Sequence, residues 1–273
     1  MRRNYVPWRA AGTTTEMKRS ADEVVRDTGW VFNNRTGRHL SLGEFVETGN
    51  HETLAYLTAF GLDDGQLAKQ TLVEIGAGIG RMTASFTRLF GKVVACDLDG
   101  AFLERCRETV AQFGRPERLQ TSRVADGRTI ALPDATADLT FSYITLQHCH
   151  RDDALALSAE AVRVTRPGGH VALNYRTWTA GDGVLWPAGH VVRGLWRVPK
   201  FGSAIAKNRT LARLGWQANR LSPTQVMAHV GDRLGDVLIV RSPKRRSFAI
   251  PGTADESFEG VHRSHWWLVG TVR

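Results

Sequence analysis

The sequence predicts an α/β fold built on a doubly wound parallel sheet, and three observations favour that class. Short β-branched runs alternate with helical patterns at intervals of roughly 20–30 residues. The first two runs end in a glycine-rich turn and an acidic residue, at the strand ends where such a sheet binds its ligand. The 273 residues, 42% of them hydrophobic, are also enough to bury one sizeable core.

The predicted elements follow one another between residues 40 and 175. A helical pattern covers 40–61, where apolar residues recur with the spacing of one helix face. The turn Arg166-Pro167-Gly168-Gly169 ends the last predicted helix of this region. The predicted strands are 71–75, 92–97, 121–125, 137–143 and 170–175, and the other predicted helices are 81–89, 101–113 and 153–164.

Composition limits the compartment and the partners. The three cysteines are widely spaced and fit neither a disulfide framework nor a metal knuckle. The basic start has no apolar segment of a secretory signal, and no run approaches the roughly 20 apolar residues of a transmembrane helix. We therefore expect a cytoplasmic protein without a transmembrane segment, as a monomer or a homodimer.

The net charge of +9 is concentrated in two segments, residues 1–40 and residues 176–221. Residues 176–221 contain eight Lys or Arg against the single acid Asp182, whereas residues 41–175 contain thirteen basic and seventeen acidic residues. This distribution indicates an anionic partner at the basic segments. A solvated basic face is the alternative.

Acidic residues follow three consecutive predicted strands. Glu74 precedes the turn Gly76-Ala77-Gly78-Ile79-Gly80, and Asp97 and Asp126 follow the next two strands. Glycines let a ligand approach the backbone amides there, and acids in these places can bind an ammonium group, ribose hydroxyls and an exocyclic amine. The pattern describes a nucleoside with an ammonium group. A nicotinamide-cofactor dehydrogenase is disfavoured, because Arg81 occupies the place of its third glycine.

Several motifs in the correct order resemble the class I S-adenosylmethionine-dependent methyltransferases, in particular their type-11-like subgroup. The resemblance covers residues 40–175 densely and the C-terminal part loosely. It implies a Rossmann-like, seven-stranded sheet with helices on both faces and an antiparallel last strand. The matching segments are Val73 to Thr83, Cys96 to Asp99, Ala125-Asp126-Gly127, Phe141 to His148 and Val162 to Gly169.

The resemblance also implies a division of the chain and a cofactor. Residues 1–39 are expected to form a tail and the start of a cap, 40–175 the cofactor-binding core, 176–221 a substrate lid, and 222–273 the rest of the core. S-adenosylmethionine would be the cofactor, with S-adenosylhomocysteine as product. The residues implied to hold it are Glu74, Gly76, Ala77, Gly78, Gly80, Asp97, Leu98, Asp126, Gly127 and Tyr143.

The expected lid is rich in tryptophan and basic residues. Its aromatic rings would contact an apolar or ring-bearing substrate, and its cations would attract an anionic one. Packing within the lid's own small core, or a helix lying on a membrane surface, are alternative interpretations. The predicted substrate-binding residues are Tyr175, Trp178, Trp186, Arg193 and Trp196.

His148, which follows the fourth strand, is the candidate general base, because imidazole titrates near neutral pH. A structural histidine in that turn is the alternative. No metal site is expected, because Asp152 and Asp153 are read as helix caps. We expect a methyltransferase acting on a small molecule, at oxygen; an RNA-modifying methyltransferase and a non-catalytic cofactor-binding module are the alternatives.

Overall fold

The computed structural model describes residues 40–195, 198, 211, 214–215 and 219–273. Within them the chain forms an eight-stranded sheet in the order β3-β2-β1-β4-β5-β8-β6-β7. The predicted α/β class is confirmed. The strands are β1 (Thr71–Ile75), β2 (Lys92–Asp97), β3 (Leu119–Arg123), β4 (Ala137–Ser142), β5 (Thr165–Arg176), β6 (Leu234–Arg241), β7 (Ala254–Ser257) and β8 (His265–Val272).

Helices connect the parallel strands. The α-helices with bounds within the described residues are α1 (Leu42–Ala59), α2 (Thr83–Leu89), α3 (Gly100–Phe113), α4 (Arg151–Val164), α5 (Asp182–Leu195) and α6 (Pro223–Val230). Ser222, the N-cap of α6, forms a capping box with Gln225, and Ser41 caps α1 in the same way with Glu44.

The strand order reverses between β1 and β4. β1 pairs in parallel with both β2 and β4, and the chain places β2 and β3 on one side of β1 before it crosses to the other. β8 is antiparallel to β5 and β6, as predicted for the last strand. The carboxyl ends of β1 to β6 and the start of β8 therefore lie at one edge, where a ligand of this fold binds.

Two neighbouring tryptophans of β8 fill opposite faces of the sheet. Trp266 packs with Tyr175 and the residues under α4 and α6, whereas Trp267 packs with Phe141 and Phe86 under α1 and α2. Both tryptophans are fully buried. Successive side chains of a strand point to opposite faces, so this one pair contributes to both cores.

The sheet has one strand more than the seven that were predicted. The additional strand, β7, pairs in parallel with β6 at the edge of the sheet, and only Asp255 among its four residues is not exposed. Its sequence, Ala-Asp-Glu-Ser, has neither apolar alternation nor β-branched residues. A short polar edge strand carries no burial pattern, which is why the sequence did not reveal it.

Candidate functional site

The turn after β1 has the conformation that its glycines predict. Gly76, Gly78 and Gly80 all have positive φ angles, of 83°, 56° and 93°. The amides of Gly76 and Ala77 both donate to the carbonyl oxygen of Cys96, at 2.7 and 3.1 Å, which ties the turn to the end of β2. A Cβ atom on Gly76 would lie 2.1 Å from Thr145 Oγ1. Only glycine fits this turn.

Glu74 lies on β1, directly below the glycine turn, and is buried. Thr83 Oγ1 donates a hydrogen bond to its Oε2 at 2.5 Å. Burial raises the pKa of Glu74 to about 7, although Thr83 and the charge of Arg81 act in the opposite direction. Arg81 itself forms an ion pair with Glu52 at 2.7 Å. The Glu74 carboxylate therefore gains from a nearby ligand cation.

Asp97 ends β2 and faces the same turn. Its Oδ2 accepts a hydrogen bond from the amide of Gly78 at 2.9 Å, and its Oδ1 accepts one from the amide of Asp99 at 2.9 Å. Burial raises the pKa of Asp97 to about 6 despite these bonds. Two buried carboxyl groups thus flank one glycine turn, and as hydrogen-bond acceptors they suit a ligand carrying hydroxyl groups and a positive charge.

The predicted adenine side lies at the next strand end. Leu98 is half-buried, and a Cβ atom on Gly127 would lie 3.8 Å from its Cδ1. Asp126 is exposed, and its carboxylate accepts hydrogen bonds from the amides of Arg128 and Thr129. Leu98 and Gly127 are therefore neighbours, while Asp126 caps its own turn; its contact with an adenine amine stays a prediction.

Aromatic rings surround the end of β4. Tyr143 stacks on Trp267 with 5.4 Å between ring centroids, and its hydroxyl lies 3.2 Å from that of Tyr56 on α1. Burial and the neighbouring Tyr143 raise the pKa of Tyr56 well above its ordinary value, so it is a neutral phenol. The next residue, Ile144, has a φ angle of +52°. A β-branched residue in this conformation is strained, as is common where a backbone lines a functional site.

His148 lies in a single 3₁₀ turn, Leu146–His148, that follows this strained residue. The side-chain amide of Asn219 donates to the carbonyl oxygens of Leu146 and Cys149, at 2.6 and 2.9 Å. The backbone amide of Asn219 also donates to Gln147 at 3.3 Å. A residue near the end of the predicted lid segment, 176–221, therefore holds the turn that carries the candidate base, a contact that sequence reasoning missed.

The predicted substrate-binding residues divide into two groups. Trp178 and Trp186 are 5.6 Å apart between ring centroids, and Arg193 lies over Trp186, with 5.6 Å from guanidinium carbon to ring centroid. Tyr175 lies elsewhere: it is buried in the core, stacked on Trp266, and its hydroxyl bonds Ser158. No surface of Tyr175 is left for a substrate. Trp196 is outside the described residues.

A buried ion cluster joins the two ends of the insertion. Asp182 is fully buried, and its Oδ1 accepts hydrogen bonds from Arg176 Nη2 at 3.0 Å and Arg220 Nη2 at 2.8 Å. Burial opposes ionisation, but the hydrogen bonds from Arg220, Thr179 and Arg176 hold the pKa of Asp182 well below its usual range. In the sequence, Asp182 is the one acid among eight basic residues of the segment 176–221, and this was the available signal for the ion cluster.

His265 lies beside this cluster at the start of β8, opposite Arg176 in the β5–β8 register. Burial, and then the charges of Arg176, His262, His148 and Arg220, lower the pKa of His265 to about 3. It is therefore a neutral imidazole at physiological pH.

The sequence comparisons agree with this geometry. The profile of a family described as a methyltransferase domain matches residues 73–173, which contain the glycine turn, Asp97 and His148. Residues 73–173 therefore match a methyltransferase domain, which is consistent with the class I S-adenosylmethionine-dependent methyltransferases that the motifs resemble. The paired buried carboxyl groups at the glycine turn of this domain fit a cationic nucleoside, which S-adenosylmethionine is.

Individual relatives match parts of the chain. It is 31% identical over 116 residues to a carboxy-S-adenosyl-L-methionine synthase of Pseudomonas putida, covering 41% of this chain and 47% of that one. It is 27% identical over 163 residues to a ubiquinone/menaquinone biosynthesis C-methyltransferase of Escherichia coli, covering 58% and 61%. The chain thus spans less than two thirds of the length of either relative.

A solved structure supports the fold over nearly the whole chain. Magnesium protoporphyrin IX methyltransferase of Synechocystis, determined with bound S-adenosylhomocysteine, aligns with a TM-score of 0.55 and 14% identity. The alignment covers 92% of this chain and 98% of that one. At this identity the likeness concerns the fold.

Other chemistries find little support within the described part of the chain. Burial raises the pKa of the Cys149 thiol to about 12, so it is no ready nucleophile. The described residues contain no group of three or more His, Cys, Asp or Glu side chains that could hold a metal ion. Over the same residues, no helix is long and apolar enough to cross a bilayer.

Proposed function

We propose that this methyltransferase transfers the methyl group of S-adenosylmethionine to an oxygen atom of a small-molecule acceptor. The observation that carries the proposal is the position of His148, in a turn held by Asn219 directly after the strained end of β4. The cofactor supplies an activated methyl group bound to a sulfonium. The protein has to position the acceptor and exclude water.

The cofactor-holding groups lie along the ends of β1, β2 and the loop after β3. The glycine turn leaves room for a ligand close to the backbone, Glu74 offers a buried carboxylate, and Asp97 offers oxygens to hydroxyl groups. Leu98 beside Gly127 provides an apolar surface for a flat base. Tyr143, stacked on Trp267, closes the β4 side of the same edge.

The acceptor would lie between the end of β4 and the insertion, which we interpret as a lid. Trp178, Trp186 and Arg193 form one cluster on the lid side, and Arg220 lies over Trp186 at 5.2 Å. Aromatic faces with two guanidinium groups suit an acceptor that carries a ring or an anionic group. Tyr175 is left out of this set because it is buried in the core.

His148 would accept the proton of the attacking hydroxyl group. It is half-buried, and its Nε2 lies 3.3 Å from Nε2 of Gln147. An oxygen nucleophile needs such a base more than an amine does, which favours oxygen as the methylated atom. The Escherichia coli relative is named for methylation at carbon, so carbon is the competing outcome.

The test is a transfer assay with S-adenosylmethionine labelled in its methyl group. Purified protein is incubated with a panel of phenols, hydroxy acids and glycosides and, separately, with bulk RNA, and the methylated atom is identified by mass spectrometry and NMR. We expect O-methylated small molecules. A carbon-methylated product would refute the oxygen assignment, and label in RNA alone would refute a small-molecule acceptor.

The role of His148 is tested with His148→Gln, compared with His150→Gln two residues away, where the side chain is exposed. We expect His148→Gln to lower kcat by about 10²–10⁴-fold, the usual contribution of a general base, with S-adenosylhomocysteine affinity unchanged. At saturating S-adenosylmethionine, its residual kcat should also depend less on pH near neutrality than that of the unaltered protein. An unchanged kcat would leave His148 a structural histidine.

A further inference from the structure

Helix α5 is turned with its charged side inward. Asp182 is fully buried in the ion cluster, and Gly189 packs so closely that a Cβ atom would lie 2.6 Å from the carbonyl oxygen of Leu214. Trp186 and Arg193 lie on this side, stacked on one another and half-buried. Close backbone contact and a buried ion cluster thus fix which side of α5 faces the protein.

The opposite side of α5 is apolar and faces outward. Val184, Val191 and Leu195 are spaced by seven and four residues, which places them in one line along the helix. Val184 is 77% exposed and Val191 is 63% exposed; Leu195 and the neighbouring Leu185 are also exposed. We call these four residues the apolar stripe. A solvated helix normally shows the reverse arrangement.

A cleft of about 350 Å³ with basic walls adjoins the apolar stripe. The seven residues that line it include three cations and no acid. Arg245 is fixed in place by hydrogen bonds to the carbonyl oxygens of Trp178 at 2.8 Å and Arg263 at 3.0 Å. The lining, which we call the basic cleft, consists of Trp178, Thr179, Ala180, Gly181, Lys244, Arg245 and Arg263.

The apolar stripe and the basic cleft form one continuous surface. A Cβ atom on Gly181, which lines the cleft, would lie 3.7 Å from Leu185 of the stripe. Trp178 is 46% exposed at the boundary between them. Exposed aliphatic residues, a boundary tryptophan and neighbouring cations are the composition of surfaces that lie in the headgroup region of a bilayer.

We propose that this surface docks the methyltransferase on an anionic lipid bilayer. The apolar stripe would insert at the boundary between headgroups and acyl chains, and Lys244, Arg245 and Arg263 would bind the negative headgroups. The surface lies beside the carboxyl ends of β5 and β6, at the edge where the acceptor is proposed to bind. The docking stands independently of which atom is methylated.

The experiment is co-sedimentation with vesicles of phosphatidylcholine alone and of phosphatidylcholine mixed with phosphatidylglycerol. We expect the protein to bind the anionic vesicles and to be released as ionic strength rises from about 0.05 to about 0.5 M. Val191→Asp should weaken vesicle binding by at least about tenfold. Lys244→Glu should weaken it by at least roughly fivefold, the effect of one charge near such a surface.

Matched variants test whether vesicle binding depends on this surface or on exposed apolar and basic residues anywhere on the protein. Leu54→Asp removes a leucine that is 52% exposed on α1, and Lys92→Glu reverses an exposed charge at the amino end of β2, at the opposite edge of the sheet. Both should bind vesicles like the unaltered protein. Val191→Phe should bind more tightly, which keeps the proposal testable if Val191→Asp folds poorly.

Three results would overturn the proposal. The first is equal retention of Val191→Asp and the unaltered protein on anionic vesicles. The second is absence of binding to any vesicle at low salt. The third is a dimer in sedimentation velocity that Val191→Asp dissociates while vesicle binding is absent, since the apolar stripe would then be an interface between two copies of the chain.

Discussion

The side-chain amide of Asn219 lies 2.6 Å from the carbonyl oxygen of Leu146, a residue 73 positions earlier in the chain. The same amide reaches the carbonyl oxygen of Cys149 at 2.9 Å. These two acceptors lie at either end of the turn that carries His148. The chain segment that returns from the insertion therefore fixes the geometry of the candidate base.

Asn219→Ala should loosen this turn. The carbonyl oxygens of Leu146 and Cys149 would lose the hydrogen bonds from this side chain, and we expect a loss of about 1–3 kcal/mol in the free energy of unfolding. Affinity for S-adenosylhomocysteine should stay the same, while kcat falls. Urea unfolding and calorimetric titration measure the two effects, with Asn50→Ala as a control for a more exposed asparagine. Equal destabilisation by both variants would contradict the assigned role.

Asp182→Asn should be strongly destabilising. Asp182 is the carboxylate shared by Arg176 and Arg220, so its neutralisation leaves two buried guanidinium groups without a counter-charge. Breaking a buried ion pair in this way costs about 3–5 kcal/mol. The matched control is Asp152→Asn, an exposed acid in the first turn of α4. Urea unfolding measures the loss in free energy of unfolding for each variant. Similar losses for both would show that the ion cluster does not hold the segment 176–221 in place.

S-adenosylmethionine binding should weaken as pH falls from 8 to about 5.5. The pKa values of Glu74 and Asp97 are raised by burial to about 7 and about 6, so both carboxyl groups take up protons over this range. A cationic ligand loses up to about tenfold in affinity for each pH unit below the pKa of the carboxyl group that binds it. Calorimetric titration between pH 8 and about 5.5 measures this affinity. In the Asp97→Asn variant the affinity should change less with pH near pH 6.

Glu74 and Asp97 also contribute to the pH dependence of the stability of the unliganded protein. Their folded pKa values lie above the ordinary values of 4.5 and 3.8, so the folded state holds more protons than the unfolded chain between those limits. Their contribution to stability therefore falls as pH rises from about 4 to about 7. The increase in Tm on adding S-adenosylmethionine should be larger at pH 8 than at pH 5.5; an equal increase would argue against ionised carboxylates in the site.

Gly76→Ala and Gly61→Ala form a matched pair, because both glycines have positive φ angles, of 83° and 65°. A Cβ atom at Gly61 would meet nothing within 4 Å, whereas at Gly76 it would collide with Thr145. Gly61→Ala should lower the free energy of unfolding by about 1–2 kcal/mol, the cost of holding an L-residue in the left-handed region. Gly76→Ala should cost more and abolish S-adenosylhomocysteine binding, measured by thermal shift. Equal effects would mean that the turn tolerates a side chain.

Sequence reasoning located most of the elements and the cofactor side of the site. The predicted helix 101–113 and strand 92–97 agree with α3 and β2 to within one residue. The third strand was displaced: β3 covers Leu119–Arg123 rather than 121–125, because its mixed, half-exposed sequence has no clear apolar boundary. The short polar β7 was missed for the same reason.

The acceptor side was harder to predict because its residues take their roles from distant partners. Tyr175 has the composition of a binding residue, but it faces the α4 side of the sheet, where Ser158 accepts or donates its hydroxyl hydrogen bond. His265 and Asn219 carry no local motif. The inward-facing charges of α5 also follow from Arg176 and Arg220, which bind Asp182 from outside the helix.

The sequence by itself determined the alternation of strands and helices, the glycine turn, and the acids at the ends of β1 and β2. These depend on backbone conformation and on neighbours a few residues away. The tertiary structure decided which side chains meet at the carboxyl edge: Asn219 with the His148 turn, Asp182 with two arginines, and the apolar stripe with the basic cleft. The order of strands in the sheet brings these segments together, and only their packing sets which side of each element is buried.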